Sequence, residues 1–182
     1  TMESSAPGTQ SEANEDFLLE VRTWLEENLI GDFAKLKGLG GPGSEHEAHA
    51  ERLAWDRHLA KHGWTCIGWP VEYGGRGLSL AQQVIFHEEY ARSNAPARTN
   101  HLGEELLGPT LIHFGTEEQK RKYLVPLAKG EILGAFCLSE PEAGSDATSQ
   151  KTTAIDKGDH YLLNGTKNWI TNGGSASVYL VI

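Results

Sequence analysis

Apolar residues recur at three- and four-residue spacing through the first two-thirds of the chain, and this period predicts amphipathic helices. The pattern is clearest over residues 16–29, where the apolar positions are Phe17, Leu18, Val21, Trp24, Leu25 and Leu29. Further helices are predicted over residues 45–62, 79–92, 106–114 and 117–124. The first two-thirds of the chain is therefore predicted to be helical.

Capping residues predict where two of these helices begin. Ser79 is followed three residues later by Gln82, and Thr116 is followed in the same way by Gln119. In such a capping box each side chain accepts a hydrogen bond from the backbone N–H of the other residue. Pro126 predicts the end of the last helix, because proline lacks a backbone N–H and clashes with the preceding turn.

The apolar pattern changes after residue 131 to short runs, which predict β-strands. These runs cover residues 132–138, 151–155, 160–163, 166–171 and 178–182. Asn164-Gly165 lies between the third and fourth runs and predicts a two-residue hairpin, because both turn positions favour positive φ. Helices followed by strands predict an α+β fold, with an N-terminal all-α helical bundle followed by an antiparallel β-domain.

The same change of pattern suggests the domain organisation. We expect a helical domain over residues 16–131 and the first part of a β-domain over residues 132–182. Residues 1–15 are rich in Ser, Gly, Pro and acidic side chains, so we expect a disordered tail, with Thr1 left by cloning. The apolar strand at 178–182 runs to the last residue, and a buried strand needs paired neighbours, so we expect a truncated sequence.

Composition and charge exclude several classes of protein. The net charge is −9 over 182 residues, and without a run of Lys or Arg this argues against a nucleic-acid surface. Cys66 and Cys137 fit no metal or redox spacing, so we expect two reduced thiols and no metal site. Apolar runs are shorter than the roughly 18 residues of a membrane span, and a signal-peptide pattern is missing. We expect a cytoplasmic protein without a membrane span, or a mitochondrial matrix protein in a eukaryote.

Three patterns look like sites but are interpreted as structural. Residues 38–43 match GxGxxG but lack the strand and helix that a dinucleotide site requires, so they predict a connector. His58 and His62 lie four residues apart without a third metal ligand, and they predict a solvated helix surface. Glu88 and Glu89 are adjacent on a helix and point apart, which also favours a solvated face over acid–base chemistry.

Two later segments combine hydroxyl side chains with small residues, namely Phe136–Asp146 and Asn168–Gly174. The hydroxyls belong to Ser139, Ser145 and Thr171. Trp169 adds a large flat aromatic, and on the predicted strand it points to the same side as Thr171. A planar ring with polar edges and a phosphate-bearing tail needs this mixture of donors, aromatic wall and closely approaching backbone.

Together the two segments resemble the flavin-binding signature of the acyl-CoA dehydrogenases. The resemblance includes residues 69–78 and 113–120 upstream, follows the family's order, and extends over residues 16–182. It implies a middle β-barrel domain from residue 132, a C-terminal four-helix bundle beyond Ile182, and bound FAD. The FAD-binding residues that it implies are Phe136, Leu138, Ser139, Gly144, Ser145, Trp169, Ile170 and Thr171.

The resemblance also implies individual roles and two departures from the family pattern. Ser139 would hydrogen-bond the polar edge of the ring, and Ser145 would lie near the CoA portion of the substrate. Ser139 stands where the family commonly has Thr, and Glu142 where it commonly has Gly. The loop at residues 69–77 either shapes the acyl pocket or only packs as a turn.

The implied reaction is the FAD-dependent α,β-dehydrogenation of an acyl-CoA thioester to the trans-2-enoyl-CoA, as in fatty acid β-oxidation. Electrons would pass to an electron-transfer flavoprotein, and the full-length protein would be a homo- or hetero-tetramer. The family's base is a carboxylate expected beyond Ile182, so no catalytic residue is assigned within this sequence. The alternatives are an acyl-CoA oxidase, another flavoenzyme on the same scaffold, or a non-catalytic scaffold or assembly homologue that lacks the base.

Overall fold

The computed structural model describes residues 7–182, with side chains from residue 11 onward. The residue attributed to cloning and the first part of the predicted tail, residues 1–6, lie outside the described residues. The chain forms two compact units. The first unit comprises the residues up to Thr99 together with residues 128–130, and the second comprises residues 100–127 and 131–182.

The first unit is helical and encloses an aromatic core. Its helices are α1 (Pro7–Asn28), α2 (Gly31–Ala34), α3 (His49–Lys61) and α4 (Leu80–Arg92). Val21 and Leu25 of α1, Trp55 and Leu59 of α3, and Phe86 of α4 are all buried. These positions repeat at helical spacing, so one face of each helix contributes to the core, as the sequence predicts.

Helix α1 begins earlier than the sequence predicts. It starts at Pro7, so residues 7–15 are helical, and the prediction of a disordered tail is wrong for them. Proline is favoured in the first turn because its missing N–H would have no helical partner there. The Glu and Ala residues that follow are good helix formers, although they bury little surface.

The two capping boxes are confirmed. In α4, Ser79 N donates to Gln82 Oε1 at 3.1 Å and Gln82 N donates to Ser79 Oγ at 3.3 Å. In α6 (Glu117–Ala128), Thr116 N donates to Gln119 Oε1 at 3.0 Å, and the return bond is 3.2 Å. The predicted end at Pro126 is wrong, because α6 continues to Ala128. Burial of Leu124 and Leu127 stabilises the helix across the proline.

The second unit contains a π-helix (Gly103–Leu107), α5 (Gly108–Phe114), most of α6 and four strands. The strands are β1 (Gly134–Cys137), β2 (Thr153–Asp156), β3 (Tyr161–Asn164) and β4 (Val178–Val181). The α+β fold class is confirmed. β2 and β3 are antiparallel, as predicted, with Thr153 opposite Asn164. β1 and β4 pair in parallel, so the prediction of an antiparallel β-domain is wrong there, because a long connection separates the two strands.

The predicted strand at residues 166–171 and the hairpin at Asn164-Gly165 are wrong. β3 ends at Asn164, and residues 165–170 form an irregular segment. Trp169 has φ 58° and Asn172 has φ 62°, values that belong to the left-handed region and not to a strand. Gly165 passes so close to Thr152 that an added Cβ would lie 2.2 Å from its Oγ1, so this position requires glycine.

Two side chains that the sequence places on solvated faces are packed instead. Glu89 is 5% exposed, and both of its carboxylate oxygens accept hydrogen bonds of 2.9 Å from Arg22. The His58 ring lies 5.7 Å from the Trp24 ring and 5.8 Å from the Trp55 ring. Neighbouring helices cover both faces, and an amphipathic pattern along a single helix does not reveal that cover.

The loop at residues 69–77 packs closely within the first unit. A short 3₁₀-helix spans Val71–Tyr73, and Trp69 and Tyr73 are buried. An added Cβ at Gly75 would lie 2.1 Å from Trp69 O, so only glycine fits.

Both cysteines are free thiols, as predicted. None of the helices in the described part of the chain has the length and apolarity that a membrane crossing requires.

Candidate functional site

The first predicted segment leaves β1 and turns sharply. Phe136 is half-buried on the strand, and Leu138 and Ser139 follow its end. Glu140 N donates to Ala143 O at 3.0 Å and Ala143 N donates to Glu140 O at 3.1 Å, which closes a tight turn. The turn buries Ala143 and leaves the residues after it exposed.

The second predicted segment lies directly against the first. Asn168 N donates to Ser139 O at 2.9 Å, so the two backbones are joined at the residue that the sequence singles out. Ile170 and Thr171 are half-buried, whereas Trp169 is 93% exposed. Trp169 is presented by a loop residue with positive φ, and the predicted strand geometry for Trp169 and Thr171 is therefore wrong.

The same two segments are joined by the half-buried side chain of Lys167. Lys167 Nζ donates to Leu138 O at 3.0 Å and to Glu140 Oε1 at 2.8 Å. It also donates to Gln150 Oε1 at 2.8 Å, so each of the three ammonium protons has an acceptor. The Lys167 side chain is 11% exposed and the Glu140 side chain 6%, so this ion pair is nearly removed from solvent.

Glu140 collects further hydrogen bonds on its other side. Lys151 N donates to Glu140 Oε2 at 2.7 Å, and Thr152 N donates to Glu140 Oε1 at 3.0 Å. The ion pair with Lys167, together with hydrogen bonds from Thr152 and Lys151, lowers the pKa of Glu140 to about 2. Glu140 is therefore ionised at neutral pH and holds one charge at the centre of the loop cluster.

The structure brings some of the predicted residues together and leaves others apart. The bonds from Lys167 and Asn168 end at Leu138 and Ser139, so these lie beside the segment that carries Trp169, Ile170 and Thr171. Gly144 and Ser145 lie beyond the turn and are exposed, and an added Cβ at Gly144 would meet open space.

Sequence reasoning missed Glu140 and Lys167. They lie 27 residues apart, and neither belongs to a recognised acid–base pattern. One signal was available: Lys167 falls within an otherwise apolar and hydroxyl-rich run, and a charged residue there needs a buried partner.

Comparisons with known proteins identify the family of the chain. The family profile described as acyl-CoA dehydrogenase, N-terminal domain, matches residues 11–131, and that described as acyl-CoA dehydrogenase, middle domain, matches residues 135–182. The chain belongs to the acyl-CoA dehydrogenase family. It is 56% identical over 161 residues to acyl-CoA dehydrogenase IpdE1 of Mycolicibacterium smegmatis. That match covers 87% of this chain and 41% of the relative, so the chain spans about two fifths of that dehydrogenase.

Two solved acyl-CoA dehydrogenase structures are similar to the chain. One is described as the Tcur3481-Tcur3483 steroid ACAD, with a TM-score of 0.76 and 30% identity, covering 99% of this chain and 44% of that one. The other is an acyl-CoA dehydrogenase complexed with FAD from Bacillus anthracis, with a TM-score of 0.71 and 31% identity. It covers 97% of this chain and 29% of that one.

Proposed function

We propose that this chain forms part of an FAD-dependent acyl-CoA dehydrogenase in which the Ser139 and Trp169 segments hold the flavin. The proposal rests on one observation, the 2.9 Å hydrogen bond from Asn168 N to Ser139 O, which joins the two segments. Membership of the family supports it, and so does the similarity to the Bacillus anthracis dehydrogenase, which is complexed with FAD.

The residues present fit an isoalloxazine ring. Trp169 offers an indole that is 93% exposed and is large and flat enough to stack on a ring. Ser139 and Thr171 are half-buried and carry hydroxyls that can donate to the polar edge of a ring. The open space at Gly144 allows a ligand to approach the backbone.

The chain's own residues orient the reactants and exclude water. Trp169 would cover one face of the ring, while Phe136, Leu138 and Ile170 would provide its apolar surroundings. When bound, FAD supplies the acceptor for the hydride that leaves the acyl β-carbon. Ser145, exposed beyond the turn, would contact the CoA portion of the thioester.

The remaining parts of the proposal concern the whole protein. The product is a trans-2-enoyl-CoA, and the base that removes the α-proton is a carboxylate from the C-terminal bundle of the family fold. An electron-transfer flavoprotein accepts the electrons, and the protein assembles as a homo- or hetero-tetramer. Family membership supports these assignments, and none of the 182 residues is given the role of the base.

A visible spectrum of the protein in its complete form, with all flanking sequence, tests the proposal. We expect a yellow preparation whose flavin absorbance bleaches anaerobically with one acyl-CoA thioester. The panel contains straight-chain, branched and steroid-bearing thioesters, the last because one similar structure is a steroid ACAD. Stoichiometric peroxide in air would support an oxidase instead, and a colourless protein that takes up no added FAD would support a scaffold.

A further inference from the structure

The Glu140–Lys167 ion pair lies at the junction of three backbone segments of the second unit. Lys167 holds the segment that leaves β1 through Leu138 O, and it also bonds Gln150 Oε1. Glu140 holds the segment that enters β2 through the N–H groups of Lys151 and Thr152. One buried pair therefore fixes all three segments at once.

Residues that are consecutive in the chain connect the Glu140–Lys167 ion pair to the proposed flavin site. Lys167 and Asn168 are consecutive, and they donate to the consecutive carbonyl oxygens of Leu138 and Ser139 at 3.0 and 2.9 Å. Ser139 itself lies between Leu138 and Glu140, and Trp169 directly follows Asn168. A displacement of Lys167 would thus change the separation between the Ser139 hydroxyl and the Trp169 indole.

Stability alone is a poor explanation for such a pair. Removing two charges from water is expensive, and an apolar pair of similar size often gives an equally stable fold. Both side chains are nearly buried, at 11% and 6% exposure, so the desolvation is almost complete. Buried charges that make several directed hydrogen bonds fix the geometry of their neighbours, as supporting residues around binding sites do.

We infer that Glu140 and Lys167 are positioning residues which hold the Ser139 and Trp169 segments at the separation that the flavin requires. The inference rests on the proposed function. It assigns no contact between either residue and the ligand, because both act through the backbone carbonyls and amides that they bind.

Flavin affinity in three variants of the complete protein tests this role. In Lys167→Met we expect the dissociation constant for FAD to rise by about tenfold or more, the scale observed when supporting residues of metal sites are removed. Lys151→Met is the matched control, because Lys151 and its partner Glu142 form an ion pair in the same loop whose side chains are 75% and 73% exposed. We expect this control to bind FAD like the wild type.

The double variant Glu140→Gln/Lys167→Met separates positioning from simple stability. It removes both charges, so no unpaired charge is left buried, and thermal stability should recover relative to Lys167→Met. The carbonyl of Leu138 remains without the ammonium that bound it, so FAD affinity should stay low and Trp169 should quench the bound flavin's fluorescence less. A double variant that binds FAD like the wild type would overturn the inference.

Amide hydrogen exchange without flavin provides a readout that does not depend on the proposed function. We expect the Asn168 amide to lose protection in the double variant, while amides of α4 in the first unit exchange at unchanged rates. Unchanged protection at Asn168 would overturn the inference even if FAD binds. If the wild-type protein binds no FAD and the double variant still loses protection at Asn168, the proposed function is refuted and the positioning role is retained.

Discussion

The two units differ in the solvent exposure of their aromatic residues. The first unit buries Trp55 completely, bonds its Nε1 to Tyr90 Oη at 2.9 Å, and stacks Trp64 on Phe86 at 5.5 Å. The second unit leaves Trp169 93% exposed on a loop that is held by a buried ion pair. Aromatic surface stabilises the first unit by its burial, whereas in the second unit it is available to a ligand.

The largest expected effect on stability comes from replacing Trp55 with alanine, and Trp169→Ala is the comparison. Trp55→Ala removes a fully buried ring and its hydrogen bond, and it should lower the free energy of unfolding by about 3–5 kcal/mol. Trp169→Ala removes an exposed ring and should change it by less than about 0.5 kcal/mol. Denaturant unfolding of both variants measures the difference, and equal losses would contradict the contrast between the units.

Helix capping should give a smaller effect. Ser79→Ala removes the side-chain acceptor for Gln82 N at the start of α4 and should cost about 1 kcal/mol of stability. Thr116→Ala makes the same change at α6 and serves as the matched variant. Denaturant midpoints for the two would show whether local capping contributes equally in regions with such different cores. A Ser79→Ala protein as stable as the wild type would contradict the capping role.

For FAD binding, in contrast to stability, we expect Trp169 to be the tryptophan whose replacement has the large effect. Trp169→Ala should raise the FAD dissociation constant by about two- to tenfold, since aromatic stacking contributes about 0.5–1.5 kcal/mol. Tyr161→Ala is the control, because Tyr161 is another exposed aromatic of the same unit, 67% accessible and on β3. Fluorescence titration of FAD into the complete protein measures both constants. Equal weakening in the two variants would indicate a non-specific effect of exposed aromatics.

The pH dependence of stability should also differ between the units. Burial is the main cause that lowers the pKa of His58, and His62 and Lys61 lower it further. The first unit therefore loses stability as the pH falls below the ordinary histidine pKa. For Glu140 the pKa is about 2, so its contribution is present above the ordinary glutamate value and is lost as the pH falls towards 2. Amide exchange across this range should show the first unit loosening at higher pH than the site loops. In a His58→Gln variant, the loosening of the first unit below the ordinary histidine pKa should disappear.

The sequence is informative about structure where both partners of a hydrogen bond lie within one helical turn. Both capping boxes were predicted correctly because their partners lie three residues apart and the bonds form within one helical turn. The early start of α1 at Pro7 was missed, because the compositional signal for disorder outweighed the good helix formers there. Such short-range errors affect the ends of elements and leave the fold class intact.

The site depended on interactions that no local pattern reveals. A strand is predicted over residues 166–171, but Lys167 turns inward to reach Glu140, which lies 27 positions away. The left-handed conformation of Trp169 is unusual for an aromatic residue, whereas Asn172 belongs to a residue type that adopts it readily. The eight residues proposed for FAD were found through resemblance to a family, whereas the pair that holds their segments together required coordinates.

The parallel pairing of β1 with β4 has a consequence for the order of events during synthesis. Gly134 pairs with Val178, so this part of the sheet cannot close until the ribosome has released the far strand. The first unit consists mainly of local helices and can form while the rest of the chain is still being translated. We therefore expect the loops proposed to hold FAD to form after the first unit, and chaperones to encounter them while they are still unpaired.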